Sequence, residues 1–265
     1  MTGKRDNGYH ELQSVVAFPV WGDMIYVTSS CTDKMTITGN IQNVPIENNL
    51  IDTAKQVLSD YIGQTLPHTH IALVKNIPMQ AGLGGGSGNA ASVLLAYKRL
   101  FFPELSLNDL CVMGIKIGAD VPVCIIRCAA LMTGIGEHIT PLPIIGKRLY
   151  CILAKPDESL CTKTIFENLN CKNNPPIPEH ISNSLLMDYA LYHGRNDLTQ
   201  TACGILPIIG NILDILSINA IKSDMSGSGS ACFGLYDDEH LCDETLYKLQ
   251  NMMPDIFCVK TVVFL

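Results

Sequence analysis

Five of the seven residues from Gly82 to Gly88 are glycine, in a 265-residue chain that has only 21 glycines. Glycine loses more backbone freedom on folding than any other residue, so this clustering implies a need for uncovered main chain. The stretch lies between two readable elements. Before it, Ile71-Ala-Leu-Val74 reads as a short buried strand. After it, Ala90, Ala91, Val93, Leu94, Ala96, Tyr97 and Leu100 supply the helix formers and apolar face of a helix that opens near Ser87. A glycine loop feeding a helix N-terminus lets N–H groups approach an anion closely. The unpaired first-turn donors and the helix dipole, about half an elementary charge at that end, then favour phosphate. The pattern predicts a polyphosphate cradle; its alternative is a flexible loop ahead of a core helix.

Two common phosphate motifs are excluded. A P-loop places Gly-Lys-Ser/Thr at the helix start, and Gly86-Ser-Gly-Asn89 has no lysine. A dinucleotide fingerprint fails in both registers, from Gly82 and from Gly84, because Ser87 or Asn89 stands where the third glycine belongs. Pro78-Met-Gln-Ala-Gly-Leu-Gly-Gly-Gly-Ser-Gly-Asn-Ala-Ala91 instead resembles the Pro-x-x-x-Gly-Leu-Gly-Ser-Ser-Ala phosphate loop of the GHMP kinases. Within that superfamily it is most similar to the family of 4-diphosphocytidyl-2-C-methyl-D-erythritol kinases, which act in the non-mevalonate isoprenoid pathway. It departs at Gly88, where that family usually has a second serine. The resemblance implies ATP and Mg2+ as cofactors. It implies nucleotide binding by Pro78, Met79, Gln80, Ala81, Gly82, Leu83, Gly84, Gly85, Gly86, Ser87 and Gly88, without the hydroxyl that a serine at position 88 would offer to phosphate or magnesium.

Three further motifs follow in the order that this family has them. Asn7-Gly8 is a turn signal, and Asn7-Gly-Tyr-His-Glu-Leu-Gln13 followed by Gly22-Asp23 resembles the family's opening motif. An aromatic ring beside an imidazole at a strand start is able to stack on a base and bond its edge; the residues alone equally suit a hairpin start. The resemblance implies that Tyr9 and His10 grip the cytosine of the substrate, with Phe166 on its other face. Gly118-Ala-Asp-Val-Pro122 sets an acidic residue between a helix stop and the apolar run Val121–Ile126, read as a strand. Asp120 there suits either a turn cap or a group that accepts a hydroxyl proton as a phosphoryl group arrives. The segment resembles the family's catalytic-aspartate motif, which implies the second role. Asp224-Met-Ser-Gly-Ser-Gly-Ser-Ala-Cys232 is a second glycine loop before a strand. It has the shape of the third GHMP motif, implying that Gly227, Ser228 and Gly229 close over the substrate; a plain hairpin turn is the alternative.

The net charge of −7 and sequence pI of about 5.4 argue against a nucleic-acid partner, which calls for a basic face. An anionic substrate must then be drawn in by local dipoles, a few lysines and a metal. Charged residues make up only 16%, against roughly 25% in ordinary domains. The eleven cysteines are dispersed without a Cys-x-x-Cys pair and read as reduced core residues. Gly204 to Ile221, the strongest candidate for a membrane span, is interrupted by Pro207 and Asp214. The expectation is a soluble, cytoplasmic protein with a small-molecule substrate, a monomer or weak homodimer that binds no membrane.

The remaining elements read in sequence: strands about Asp23–Thr28 and Met35–Gly39, and a helix capped by Asn48 or Asn49 and closed by Gly63. A helix from Ser106 to Gly118 follows, then a strand–turn–strand around Met132–Glu137, a strand Leu149–Ala154 and a helix starting at Thr162. Lys172–Pro178 reads as a mobile loop, and Cys203–Ile221 as helix broken at Pro207. A final helix Glu239–Met253 and a strand Ile256–Leu265 close the chain. His68 and His70 straddle one strand position but have no third ligand nearby, so exposed histidines are expected. The lull at Pro141–Arg148 suggests domains 1–145 and 146–265. The resemblance implies a two-domain α+β GHMP fold, with an N-terminal domain like ribosomal protein S5 domain 2, a ferredoxin-like C-terminal domain, and an active site in the cleft. The family opens with a lysine-bearing strand of the type Pro-Ala-Lys-Ile-Asn-Leu, and this chain begins just past it. Either the true start lies upstream, or a catalytic cation is gone. Two alternatives to the cytidyl kinase therefore stand: another GHMP small-molecule kinase, or an impaired nucleotide-binding protein.

Overall fold

The computed structural model describes residues 1–4, 10–41, 49–169, 171 and 173–265. The Asn7-Gly8 turn, Tyr9, Asn48 and Lys172 lie outside them. In chain order the N-terminal part contains β1 (Gly3–Lys4), β2 (His10–Val16), β3 (Met24–Ser29), β4 (Lys34–Gly39), α1 (Leu50–Ile62), β5 (Thr69–Lys75), α2 (Gly85–Leu100), α3 (Leu107–Ile117), α4 (Val121–Ile126), β6 (Ala130–Gly134) and β7 (His138–Pro141). Two sheets result: an antiparallel β1-β2-β6-β7, and β3-β5-β4, in which β5 runs antiparallel to β3 and parallel to β4.

β5 alternates buried and half-buried positions along its length. Ile71 and Leu73 thereby meet Ile51 and Leu58 of α1, Ala90, Leu94 and Tyr97 of α2, and Met113 of α3 in one core. The helix ends carry their expected signals. Asn49 Oδ1 accepts from the N–H groups of Ile51 and Asp52 at 2.8 and 3.1 Å, and Gly63 ends α1 in the left-handed region. Ser106 and Asp109 form a reciprocal capping box on α3. Two expectations need correction. Val121–Ile126 is the helix α4, not a strand. Pro122 suits a first helical turn, where its missing N–H costs nothing. α2 begins at Gly85, two residues before Ser87.

The remaining elements are β8 (Arg148–Lys155), α5 (Thr162–Glu167), α6 (Asn183–His193), α7 (Thr199–Ile205), α8 (Ile208–Leu216), β9 (Lys222–Met225), β10 (Cys232–Tyr236), α9 (Glu239–Met252) and β11 (Phe257–Phe264). They build the antiparallel sheet β11-β8-β10-β9. Ile165, Ile209, Ile212 and Leu249 pack against Ile152, Met225 and Tyr236 of that sheet. A third cluster joins Leu142, Leu149, Leu186, Leu191 and Val263, with Val15 and Leu131 of the first sheet against it. This seam ties the two halves of an α+β architecture together. All eleven cysteines are free thiols. Among the described residues, no helix is long and apolar enough to cross a membrane. The described residues hold no group of three or more His, Cys, Asp or Glu placed for a metal. His70 Nε2 instead lies 3.0 Å from Thr36 Oγ1, and His68 Nδ1 lies 3.6 Å from Asp33.

Candidate active site

The glycine loop forms the wall of a cavity of about 590 Å³. Every residue from Pro78 to Ser87 lines it, together with apolar Met35, Ile37, Leu50, Ile51 and Leu73 and with Thr162. Gly84, at φ 65°, turns the chain into α2 and offers no side-chain cap. The first N–H groups of a helix have no internal acceptor, and Gly85, Gly86 and Ser87, which carry them here, all line the cavity. Gly88 is not in the lining. Its N–H is already spent inside the helix, donating to Gly84 O at 2.8 Å. A side chain at Gly88 would meet nothing within 4 Å, so the position has room for the serine it lacks.

The second glycine loop docks on the first. Ser226 Oγ donates to Gly82 O at 2.8 Å, and Ala231 N–H donates to Ala81 O at 2.9 Å. Gly82 has φ +72°, and a Cβ there would stand 2.6 Å from both Gly229 O and Ser226 O. Only glycine permits this approach. Asn196 Nδ2 holds the second loop from behind, donating to Met225 O and Gly227 O at 2.8 and 2.7 Å. On its other flank, Ser230 Oγ donates to Glu158 O at 2.8 Å. Gly227 and Gly229 both have positive φ, and Ser228 Oγ lies 2.8 Å from Thr162 Oγ1. Ser228 thus meets the cavity edge through Thr162, with Gly227 and Gly229 flanking it in the loop.

One turn along α5 from Thr162, the ring of Phe166 stacks on that of His10, with centroids 5.1 Å apart at 24°. Four residues of α-helix rise about 6 Å, so α5 spans from the cavity to this ring pair. Asp120 does not line the cavity. It stands at the N-terminus of α4, which is tied to α2 where Arg127 Nη2 donates to Ser92 Oγ at 2.7 Å. Asp120 keeps access to solvent but is closely surrounded by protein, and this desolvation raises its carboxyl above the usual carboxylate range. Reasoning from sequence missed three residues at the cavity: Thr162, Lys75 and Asp23 beneath it. Lys75 Nζ donates to Asp23 Oδ2 at 2.7 Å, with both side chains almost fully buried. A lysine ending an apolar strand directly before the loop was the available signal.

Residues 49–127 match the model of the GHMP kinases N-terminal domain. The chain is 35% identical over 253 residues to a 4-diphosphocytidyl-2-C-methyl-D-erythritol kinase of Lachnoclostridium phytofermentans, covering 93% of this chain and 86% of that protein. It is 33% identical over 266 residues to the kinase of the same name from Rhizobium etli, covering 98% and 89%. A crystal structure of 4-(cytidine 5'-diphospho)-2C-methyl-D-erythritol kinase superposes with a TM-score of 0.81 at 25% identity, covering 99% of this chain and 94% of the other. L. major mevalonate kinase, at 12% identity and a TM-score of 0.66 over 96% of this chain and 90% of the other, shares the fold.

Proposed function

The chain belongs to the 4-diphosphocytidyl-2-C-methyl-D-erythritol kinase family of GHMP kinases, and on that premise we propose how its residues divide the work of a small-molecule kinase in the isoprenoid pathway. The acceptor is the 2-hydroxyl of 4-diphosphocytidyl-2-C-methyl-D-erythritol, and ATP is the donor. We assign the N-terminal domain to residues 1–145 and the C-terminal domain to residues 146–265.

The observation that carries the assignment is the uncapped first turn of α2 in the lining of a cavity that apolar side chains also line. Amides there suit a triphosphate, and Met35, Ile37 and Leu50 suit a base. His10 and Phe166, with Tyr9 next to His10 in sequence, receive the cytosine. Thr162 and the Gly227–Gly229 loop lie between the two regions, where the reacting groups meet. The acceptor oxygen bonds to the γ-phosphorus as the β–γ bridging bond breaks. ADP departs with the electron pair, and the hydroxyl proton passes to the Asp120 carboxylate. Its raised pKa brings it nearer to the acidity a general base needs at neutral pH.

Magnesium fits as a companion of the nucleotide. The described residues hold no metal cluster of their own, and Mg2+ keeps several waters and binds largely through substrate phosphates. Of the residues lining the cavity, Ser87 would be able to offer it a hydroxyl, and a bound ion would neutralise phosphate charge.

Phosphorus NMR of the purified protein with ATP–magnesium and 4-diphosphocytidyl-2-C-methyl-D-erythritol is expected to show a new phosphomonoester and an equal amount of ADP. ADP release that does not depend on this substrate, or ATP binding without any turnover, would refute the assignment. Equal turnover of mevalonate or homoserine would point to another acceptor.

A further inference from the structure

Beneath the glycine loop, the Asp23 side chain is 3% exposed and accepts four hydrogen bonds. Oδ1 takes the N–H groups of Asn76 and Ile77, both at 2.8 Å, and Oδ2 takes Lys75 Nζ at 2.7 Å and Asn89 Nδ2 at 3.0 Å. These donors sit at the two feet of one arch. Lys75, Asn76 and Ile77 are where the chain leaves β5, and Asn89 belongs to the opening turns of α2, after the loop has returned. The spacing at the feet is tight. A Cβ on Gly85 would stand 3.3 Å from Lys75 Nζ and 3.2 Å from Ile77 Cγ2.

We propose that Asp23 is a positioning residue for nucleotide binding: by holding both feet, it sets the width of the arch and so aims the Gly85–Ser87 N–H groups at the triphosphate. The proposal rests on the reading of this loop as the ATP site. Charge alone argues against a carboxylate at such a place, because it repels phosphate. Lys75 neutralises that repulsion, and what remains is geometry: one carboxylate satisfies two backbone donors and two side chains that no single neutral residue could serve. Asparagine at position 23 could still accept the two N–H groups, but its amide nitrogen would face Lys75 Nζ and Asn89 Nδ2, which are both donors.

The sign of the effect on ATP separates the roles this residue could play. Asp23→Asn is expected to raise the KM for ATP roughly tenfold or more, as expected of a small misplacement of binding groups, with kcat at saturating ATP within about threefold of wild type. In the nucleotide-free protein, the hydrogen-bonded amides of the arch, those of Asn76 and Ile77 on Asp23 and that of Gly88 on Gly84 O, should exchange with deuterium faster than in wild type. A lower KM would mean that Asp23 acts only through its charge. An unchanged KM and unchanged exchange in a folded variant would mean that it only packs; either result overturns the proposal. Should Asp23→Asn fail to fold, Asn89→Ala decides the matter, since it frees one foot and leaves the Lys75–Asp23 pair intact. It should raise the KM for ATP and speed exchange at the arch in a protein that still unfolds cooperatively, and an unchanged KM and exchange overturn the proposal. A wild-type protein that fails to bind an ATP analogue refutes the nucleotide reading instead, while exchange in the ligand-free variants still reports on the arch.

Discussion

Replacing Gly82 with alanine tests whether the two glycine loops form one docked unit. The residue has φ +72°, and the new Cβ would lie 2.6 Å from two backbone oxygens of the second loop, neither of which can rotate aside. Gly84 provides the control: its φ of +65° is equally left-handed, but a Cβ there meets nothing within 4 Å. Both variants carry the backbone penalty of an L-residue in that region, about 1–2 kcal/mol. Gly82→Ala must also push the loops apart, breaking the Ser226–Gly82 and Ala231–Ala81 hydrogen bonds, each worth about 0.5–1.5 kcal/mol. The expected totals are about 2–5 kcal/mol for Gly82→Ala and about 1–2 kcal/mol for Gly84→Ala. Equilibrium urea unfolding measures the difference. Hydrogen exchange locates it, because the Ala231 amide should exchange at least roughly tenfold faster in Gly82→Ala, the equivalent of 1.4 kcal/mol, and near the wild-type rate in Gly84→Ala. Equal destabilisation, with Ala231 protected in both, would refute the docked arrangement.

Asp120→Asn should lower kcat by about 100-fold or more, the usual contribution of a positioned general base. The same variant should be more stable than wild type at pH 7. A carboxyl raised by desolvation favours its protonated form in the folded chain, so ionising it costs stability as pH climbs above the ordinary carboxylate value; the advantage should vanish near pH 3, where folded and unfolded chains both hold the proton. Phe166→Ala should raise the KM for the cytidyl substrate roughly tenfold, in line with about 1–3 kcal/mol for a base–aromatic stack, and leave the KM for ATP unchanged. Gly88→Ala, placed in open space within α2, should stabilise the protein by about 0.5–1 kcal/mol in urea unfolding, because glycine weakens a helix interior.

Elements fixed by local chemistry were legible in the sequence, and those fixed by partners were not. Asn49 and Gly63 around α1, the Ser106 box of α3 and Pro207 between α7 and α8 each act within a few residues of their own helix. Val121–Ile126 is an unbroken apolar run whose periodicity does not distinguish strand from helix, and only its burial between α2 and α3 makes it α4. α6 escaped notice because its apolar residues surround the helix: Leu186, Met187 and Leu191 are buried, while Leu185 and Tyr192 are more than half exposed. At the site, the loop itself was readable from Pro78 to Ser87. Asp23 registered only as part of a Gly-Asp pair, since its four donors come from positions 52 to 66 residues away.

On the proposed reading of the glycine loop as the ATP site, the same geometry accounts for how an acidic chain attracts a tetra-anionic nucleotide. The net charge of −7 offers no long-range pull, and the cation lining the cavity among the described residues, Lys75, is already paired with Asp23. Attraction must then come from main-chain N–H dipoles, whose influence fades within the first turn of a helix. Such a site works only if those dipoles are held where the phosphate oxygens will be. Part-buried hydrogen bonds brace the loop on three sides: Asp23 beneath its feet, Ser226 and Ala231 against its crest, and Asn196 behind the second loop. A P-loop adds a mobile lysine that reaches the phosphates. Here the lysine is paired with Asp23 in the scaffold, so the proposed site takes its affinity from the rigidity of bare backbone.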